Sequence, residues 1–328
     1  MTKQKPLHPD AVLKAYWRNN DRFSDLFNQY FFHGDERIHP EDLVERDTDE
    51  SEVLLEKDVV TDISRIRDVS KQHEDNVGLA LVSIENQMSV HYAMPVRTML
   101  TDALHYTQQC KDLAQEHRTQ KDLHGSAEFL SGLTAHDRIA PMLTMVVYYG
   151  EDAWNGPECL ADMMSIPDGY GPYINNYALH VFQARDGHQY AFKNRDNQDF
   201  FMLLSELYQQ KGRIDINEFE KRHPGMKVYW ETLAAVGAAS GTTSLIRLAF
   251  KHKGDDIRMC TALQGLIDEG RELGLNEGRK MGLSEGRDEA ITGLIHILRN
   301  LHIPDDLIMK YIQQEFVLPT DTIKKLMN

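Results

Sequence analysis

Basic charge is what this sequence is short of. Lys and Arg number 36 against 51 Asp and Glu, a formal net charge of −15, which is the wrong sign for a chain that coats nucleic acid through a broad basic surface. Any nucleic-acid role must then rest on local chemistry. Cysteine is scarce as well. Cys110, Cys159 and Cys260 lie far apart, form no Cys-x-x-Cys pair and leave an odd count. A disulfide framework and a structural zinc site are therefore not expected, and a reducing compartment is. Long apolar runs are missing too. No stretch of about 18 uncharged apolar residues occurs, and the opening residues MTKQKPLHPD carry no apolar segment of the kind a secretory leader needs. No membrane span is expected, and the expected location is the cytoplasm.

What is present is enough for a core: 328 residues at 41% hydrophobic composition can form one large or two smaller domains. Ala11 to Phe32 carries apolar residues at helical spacing and closes near Gly34, which predicts one or two N-terminal helices. The acidic run EDLVERDTDESEVLLEKD (41 to 58) reads as a solvated, loop-rich stretch. Ile63 to Val69 and Val77 to Ile84 read as strands joined through the polar KQHEDN as a hairpin. Met94 to Cys110, with Pro95 in its first turn, reads as a helix. Pro141 to Tyr149 and Tyr177 to Gln183 read as further strands. From Asn197 the pattern is helical, through FFMLLSELYQQ and again from Val228 to Phe250. The class is α+β, with the strands early and a helical C-terminal region. The expected organisation is a core over 1–215, a helical extension over 216–262 and a tail over 263–328.

Glycine recurs in that tail at 270, 274, 278, 282 and 286, within EGRELGLNEGRKMGLSEGR. A period of four approximates a helix face, drifting about 40° per step against 3.6 residues per turn. Each glycine costs roughly 1 kcal/mol relative to alanine, so five disfavour a lone helix by about 5 kcal/mol. The tail is therefore either frayed or pressed against a partner helix. A homo-oligomer formed through it is expected.

The stretch LVSIENQ (81 to 87) carries the chemistry. An apolar run of this kind is expected of a buried strand, yet it ends on Glu85 and Gln87, and a buried carboxylate needs a cation or a hydrogen-bond partner. Side chains alternate along a strand, so Glu85 and Gln87 share one face. A hairpin centred between Asn76 and Val77 sets Asp68 opposite Glu85, with Cβ atoms about 5 Å apart, close enough to share one hard cation. A metal held this way polarises a phosphoryl oxygen and activates a water, with Gln87 to orient that water. The same pattern also describes an acid that starts one strand at the surface and another that ends the next, and a slip of one residue in register turns Asp68 to the other face.

RDVSK (67 to 71), GLALVSIENQMSVHYAMPVRTMLTDALHYTQQ (78 to 109) and APMLTMVVYYGEDAWNGPECLADM (140 to 163), together with RFSDLFNQYFFHG (22 to 34) and the glycine-repeat tail, resemble the bacterial recombination-promoting nuclease and putative transposase family, a branch of the PD-(D/E)xK nucleases. The resemblance covers most of the chain. It implies a restriction-endonuclease-like core of mixed sheet flanked by helices, and divalent-metal-dependent DNA endonuclease activity of low sequence specificity linked to recombination or mobile elements. It matches Asp68 to the family's metal-binding aspartate, Glu85 to the acid of its E-x-Q variant, and Gln87 to the position that is lysine in the wider superfamily. Mg²⁺ is the implied cofactor, with Mn²⁺ or Ca²⁺ as alternatives, and DNA is the implied partner.

Losing the lysine ammonium removes charge stabilisation at phosphorus, so either the enzyme is slow, a second ion or Arg97 substitutes, or the site is degenerate. Asp25 matches the family's F-x-D-L-F-N stretch and is either a further metal carboxylate or an exposed helix aspartate. Arg97 is placed to grip a phosphate bidentately or to form a surface ion pair. Tyr106 and Gln109 share a helix face and either contact DNA or, for the tyrosine, pack inward. His91 is either a general base or a capping residue. The rival readings are a non-catalytic DNA-binding or assembly protein that keeps a degenerate nuclease fold, and an RNA-directed nuclease or toxin.

Overall fold

A computed structural model describes residues 8–45, 68–74, 79–209, 215–316 and 318–327. The chain divides into two compact units, Met1–Leu263 and Gln264–Asn328. The larger opens with helices α1 (Pro9–Arg18) and α2 (Asn20–Phe32). Asn19 both ends α1, in an extended conformation, and caps α2, its side chain accepting the Arg22 N–H at 3.0 Å.

The sheet has the order β1-β2-β3-β4-β5, formed by β1 (Leu43–Glu45), β2 (Val69–Glu74), β3 (Leu79–Gln87), β4 (Met142–Tyr148) and β5 (His180–Gln183). β1 and β3 each run antiparallel to β2, while β4 is parallel to β3 and β5 to β4. A parallel neighbour needs a long crossover. Between β3 and β4 it contains helix α3 (Met94–Gln120) and the short α4 (Ser126–Ser131).

Alternation along the strands builds two different faces. Val82, Ile84, Met145 and Val147 are buried on one, which meets the aromatic cluster of Trp17 from α1, Phe182 from β5, and Phe200 and Phe201 from α5 (Arg195–Gln209). Each such side chain withdrawn from water contributes about 1.5–3 kcal/mol. Lys71 of β2, opposite Val82, is buried on this face as well. Its ammonium donates to the carbonyl oxygen of Arg18 at 2.8 Å and to Asn20 Oδ1 at 2.6 Å, and sits 4.6 Å from the centre of the Phe23 ring. The sheet is thereby tied to the α1–α2 junction. The opposite face is polar under α3, where Ser83, Thr144 and Asp102 are all buried.

The rest of the unit comprises α6 (Ile216–Arg222), β6 (Lys227–Tyr229), α7 (Trp230–Ala239), α8 (Thr243–Lys251) and β7 (Asp256–Arg258), with β6 and β7 paired antiparallel. Helix α9 (Met259–Asn300) runs on into the smaller unit. There Ile291 and Ile295 pack with Ile308 and Ile312 of α10 (Asp305–Phe316) and Ile323 of α11 (Thr320–Met327).

The α+β class and the two N-terminal helices stand as expected. The second strand does not begin or end where expected. Residues 63–67 of the predicted strand lie outside the described residues, and Lys71 to Glu74 continue the strand rather than turning. The polar letters KQHE conceal a period of two in which Lys71 and His73 are the buried members. Of the acidic stretch, residues 43–45 form edge strand β1 and 46–58 lie outside the described residues. Between Val228 and Phe250 the helical pattern breaks at Ser240 to Thr242, where Gly241 takes φ +69°, a conformation that suits glycine.

Candidate functional site

The register of β2 on β3 is the one a turn centred between Asn76 and Val77 requires. Val69 pairs with Ile84, so Asp68, one residue before β2, and Glu85, one residue further along β3, are opposed across the ladder. The Asp68 N–H still donates to the Ile84 carbonyl at 3.3 Å. β2 starts only at Val69, so the carboxylate of Asp68 takes over the next backbone donor, accepting the Asn86 N–H at 2.6 Å on Oδ2. Its other oxygen, Oδ1, is 2.9 Å from Lys14 Nζ of α1. Burial pushes the Asp68 carboxyl above the usual aspartate range, against the pull of the Asn86 amide and of Lys14. Burial acts to lower the Lys14 ammonium, but the hydrogen bonds and charges of Asp68 and then Asp10 leave it raised.

Glu85 is the more deeply placed acid, its side chain 2% exposed, and Arg97 of α3 brings a guanidinium nitrogen to 3.7 Å from Oε2. The two carboxylates therefore draw on different cations: Lys14 from α1 for one, Arg97 from α3 for the other. Gln87, two residues along the same face, is half-buried. Its backbone carbonyl accepts the Tyr149 N–H at 2.9 Å. Behind Glu85 a buried polar chain continues along the sheet. Ser83 Oγ is 3.0 Å from Thr144 Oγ1, which donates to Asp102 Oδ1 at 2.8 Å, and the Tyr177 hydroxyl donates to the other oxygen of Asp102. On the far face the Trp17 indole donates to the Tyr149 hydroxyl at 2.7 Å, which in turn donates to Asn86 Oδ1 at 2.7 Å. The residue between Glu85 and Gln87 is thus held from both its backbone and its side chain.

The remaining candidates are engaged elsewhere. Asp25 accepts the Lys193 N–H at 3.0 Å, the Asn194 N–H at 3.2 Å and Asn197 Nδ2 at 3.0 Å, so its carboxylate secures the entry to α5. It lines a cleft of about 260 Å³ there, shared with Lys193 and Glu36. The Tyr106 hydroxyl accepts the Met142 N–H at 2.9 Å, and the Gln109 amide pairs with both backbone groups of Ala140, so both hold the entry to β4. His91 is exposed, its carbonyl accepting the N–H of Met94 at the start of α3.

Lys14 escaped the sequence reading, because the contact is made from a helix more than 50 residues upstream of Asp68 and nothing local marks it. Its only signal was a lysine within an otherwise apolar helical pattern. Among the described residues no cluster of three or more His, Cys, Asp or Glu side chains forms a metal-binding group. Asp68 and Glu85 each carry carboxylate oxygens, the donor type magnesium takes, since that ion binds through one or two carboxylates together with substrate phosphates and waters. Comparison with family models, with curated proteins and with solved structures found no match to the chain. No helix among the described residues is long and apolar enough to cross a membrane.

Proposed function

We propose that the chain is a divalent-metal-dependent DNA endonuclease of low sequence specificity, linked to recombination or mobile elements as its sequence resemblance implies. The observation that carries the reading is the opposition of Asp68 and Glu85 at one end of the β2–β3 ladder, each beside a cation long enough to reach a phosphate. Asp68 and Glu85 would hold the ion. Bound Mg²⁺ supplies Lewis-acid stabilisation and lowers the pKa of a coordinated water. Everything else falls to the chain itself. Without substrate, Lys14 and Arg97 balance the buried acids; with a phosphodiester present they are free to exchange those contacts for phosphate oxygens, Arg97 in the bidentate manner open to guanidinium. Lys14 would then supply from α1 the ammonium that Gln87 cannot supply from β3. Gln87 is left to position water through its amide. The Trp17–Tyr149–Asn86 chain and the Asn86 amide fix Asp68 in place.

Supercoiled plasmid incubated with Mg²⁺ or Mn²⁺ tests this directly. Wild type should nick it, and Asp68→Asn and Glu85→Gln should each slow nicking by about 100-fold, equivalent to roughly 2.7 kcal/mol at the transition state. Equal nicking by all three proteins would expose a contaminant and end the proposal. Two observations favour the non-catalytic alternative, namely the separate ion pairing of the two acids and the net charge of −15. Plasmid retention without nicking would select it, and cleavage of labelled RNA alone would assign an RNA-directed enzyme.

A further inference from the structure

Gln29 of α2 carries a carboxamide that the fold does not use. The residue is only 7% exposed, yet its side chain has no hydrogen-bond partner among the described residues. Its buried neighbours on the helix are all engaged: Asn28 bonds the backbone of Arg37 and Ile38, and Ser24 Oγ donates to the Asp21 carbonyl at 3.3 Å. Buried polar groups are normally satisfied, because an unpaired one is costly. The Gln29 amide instead lines the cleft of about 260 Å³ that Asp25 shares with Lys193 and Glu36. Gly34 lines the same cleft, and a Cβ there would stand 3.3 Å from Gln29 Nε2 and 3.6 Å from Oε1, so the glycine leaves room over both atoms.

Asp25 lies one helical turn before Gln29 and so shares its face of α2. It is 8% exposed, and its three hydrogen bonds all come from neutral donors, one on Oδ1 and two on Oδ2. A carboxylate offers about four acceptor positions, which leaves one on Oδ1. Among the described residues no cation pairs with it. The Lys193 ammonium is 2.9 Å from Glu36 instead, and both of those side chains are more than half exposed. Burial pushes the Asp25 carboxyl above the usual aspartate range against the pull of its three bonds, as expected of an acid without an adjacent counter-charge. Asp21 adds a second carboxylate to the lining.

These groups define what the cleft accepts. An anion would meet Asp21 and Asp25. A bare metal ion would satisfy Gln29 Oε1 and leave Nε2, a donor, without an acceptor. An ammonium group satisfies both Asp25 Oδ1 and Gln29 Oε1, and a hydroxyl or carbonyl on the same molecule satisfies Nε2. The volume falls below the roughly 300–1,000 Å³ of pockets for drug-sized ligands, so the molecule is small. We propose that this cleft binds a small organic ammonium compound carrying a hydroxyl or carbonyl group, with Asp25 and Gln29 as its recognition pair. Neither Asp68 nor Glu85 lines the cleft, and the proposal does not rest on their activity.

Calorimetric titration of the full chain with ethanolamine and with glycinamide tests it, with acetamide and acetate as the uncharged and anionic controls and Mg²⁺ as the metal control. At least one of the two amines should bind saturably at one site, with acetamide at least about tenfold weaker and acetate silent. Gln29→Met keeps the length of the side chain and removes the amide. It should weaken amine binding at least about tenfold while its urea midpoint stays at or above that of wild type, because the fold loses no hydrogen bond. A residue that served only the fold would shift those two readings in the opposite sense. Failure of both amines to bind, acetamide or acetate binding as well as they do, displacement of the amines by Mg²⁺ that Gln29→Met leaves unchanged, amine affinity unchanged in Gln29→Met, or a lowered urea midpoint in that variant would each overturn the proposal.

Discussion

Lys14 Nζ stands 2.9 Å from Asp68 Oδ1, joining the first helix of the chain to the residue that opens the second strand. The pair is asymmetric, since the lysine side chain is 31% exposed while that of the aspartate is 8% exposed. Truncating the lysine would leave a buried carboxylate with the Asn86 amide and no cation. Lys14→Met should therefore destabilise the fold by about 1–2 kcal/mol, short of the 3–5 kcal/mol of a fully buried pair because water reaches the ammonium. Urea denaturation measures this. In the double variant Lys14→Met/Asp68→Asn the two losses should be less than additive. Simple additivity would mean that the contact contributes nothing of its own.

Lys71 lies wholly within the core, and burial lowers its ammonium to about 8, with the charges of Glu45 and Asp21 opposing the shift. The sign follows from proton counting. Unfolded, the lysine holds its proton to about 10.4; folded, it releases it near 8. Between those values the unfolded chain binds more protons, so this group makes the protein more stable as pH rises. Wild type minus Lys71→Met stability should grow between pH 8 and pH 10, by an amount bounded at roughly 3 kcal/mol. A flat difference across that window would show that Lys71 keeps its ordinary proton affinity in the fold.

The part of the fold legible in the sequence is the part written in apolar periodicity: β3, β4, β5, the paired N-terminal helices and α3. The register across the hairpin was legible as well, because a turn centre fixes every pair in an antiparallel ladder, and Val69 does face Ile84. The strand character of Lys71 to Glu74 was not, since a lysine satisfied by Arg18 and Asn20 reads as a turn residue until those partners are seen. The three-residue strands β6 and β7 are too short to carry any period. At the candidate site, Asp68, Glu85 and Gln87 stood out as polar letters at the edge of apolar runs, whereas Lys14 depends on a contact made only after the chain has folded. Tyr106 and Gln109 share a helix face in sequence, open to DNA contact or, for the tyrosine, to inward packing, and their bonds to backbone groups at 140–142 are announced by no local pattern.

His117, in the last turn of α3, is held at both ring nitrogens: Nδ1 lies 2.8 Å from Asp122 Oδ1 and Nε2 lies 3.0 Å from Asp137 Oδ2. Two carboxylate partners demand that both nitrogens donate, which only the imidazolium can do. The hydrogen bonds of Asp137 and then Asp122 accordingly raise its pKa above 6.5. A histidine raised in this way stabilises fully below its unfolded value, and the contribution is lost as pH climbs through the folded one. The clamp joins the end of α3 to the segment that leads into β4, so its loss should be felt locally. Amide exchange at Lys121, whose N–H donates to the His117 carbonyl at 2.8 Å, should lose protection above that pH once corrected for intrinsic rates. In an NMR titration His117 should report a pKa above 6.5, and Asp137→Asn should bring it down by removing the larger of the two causes. A wild-type value at or below 6.5 would mean that the ring is neutral at physiological pH and that one of the two contacts is not a hydrogen bond.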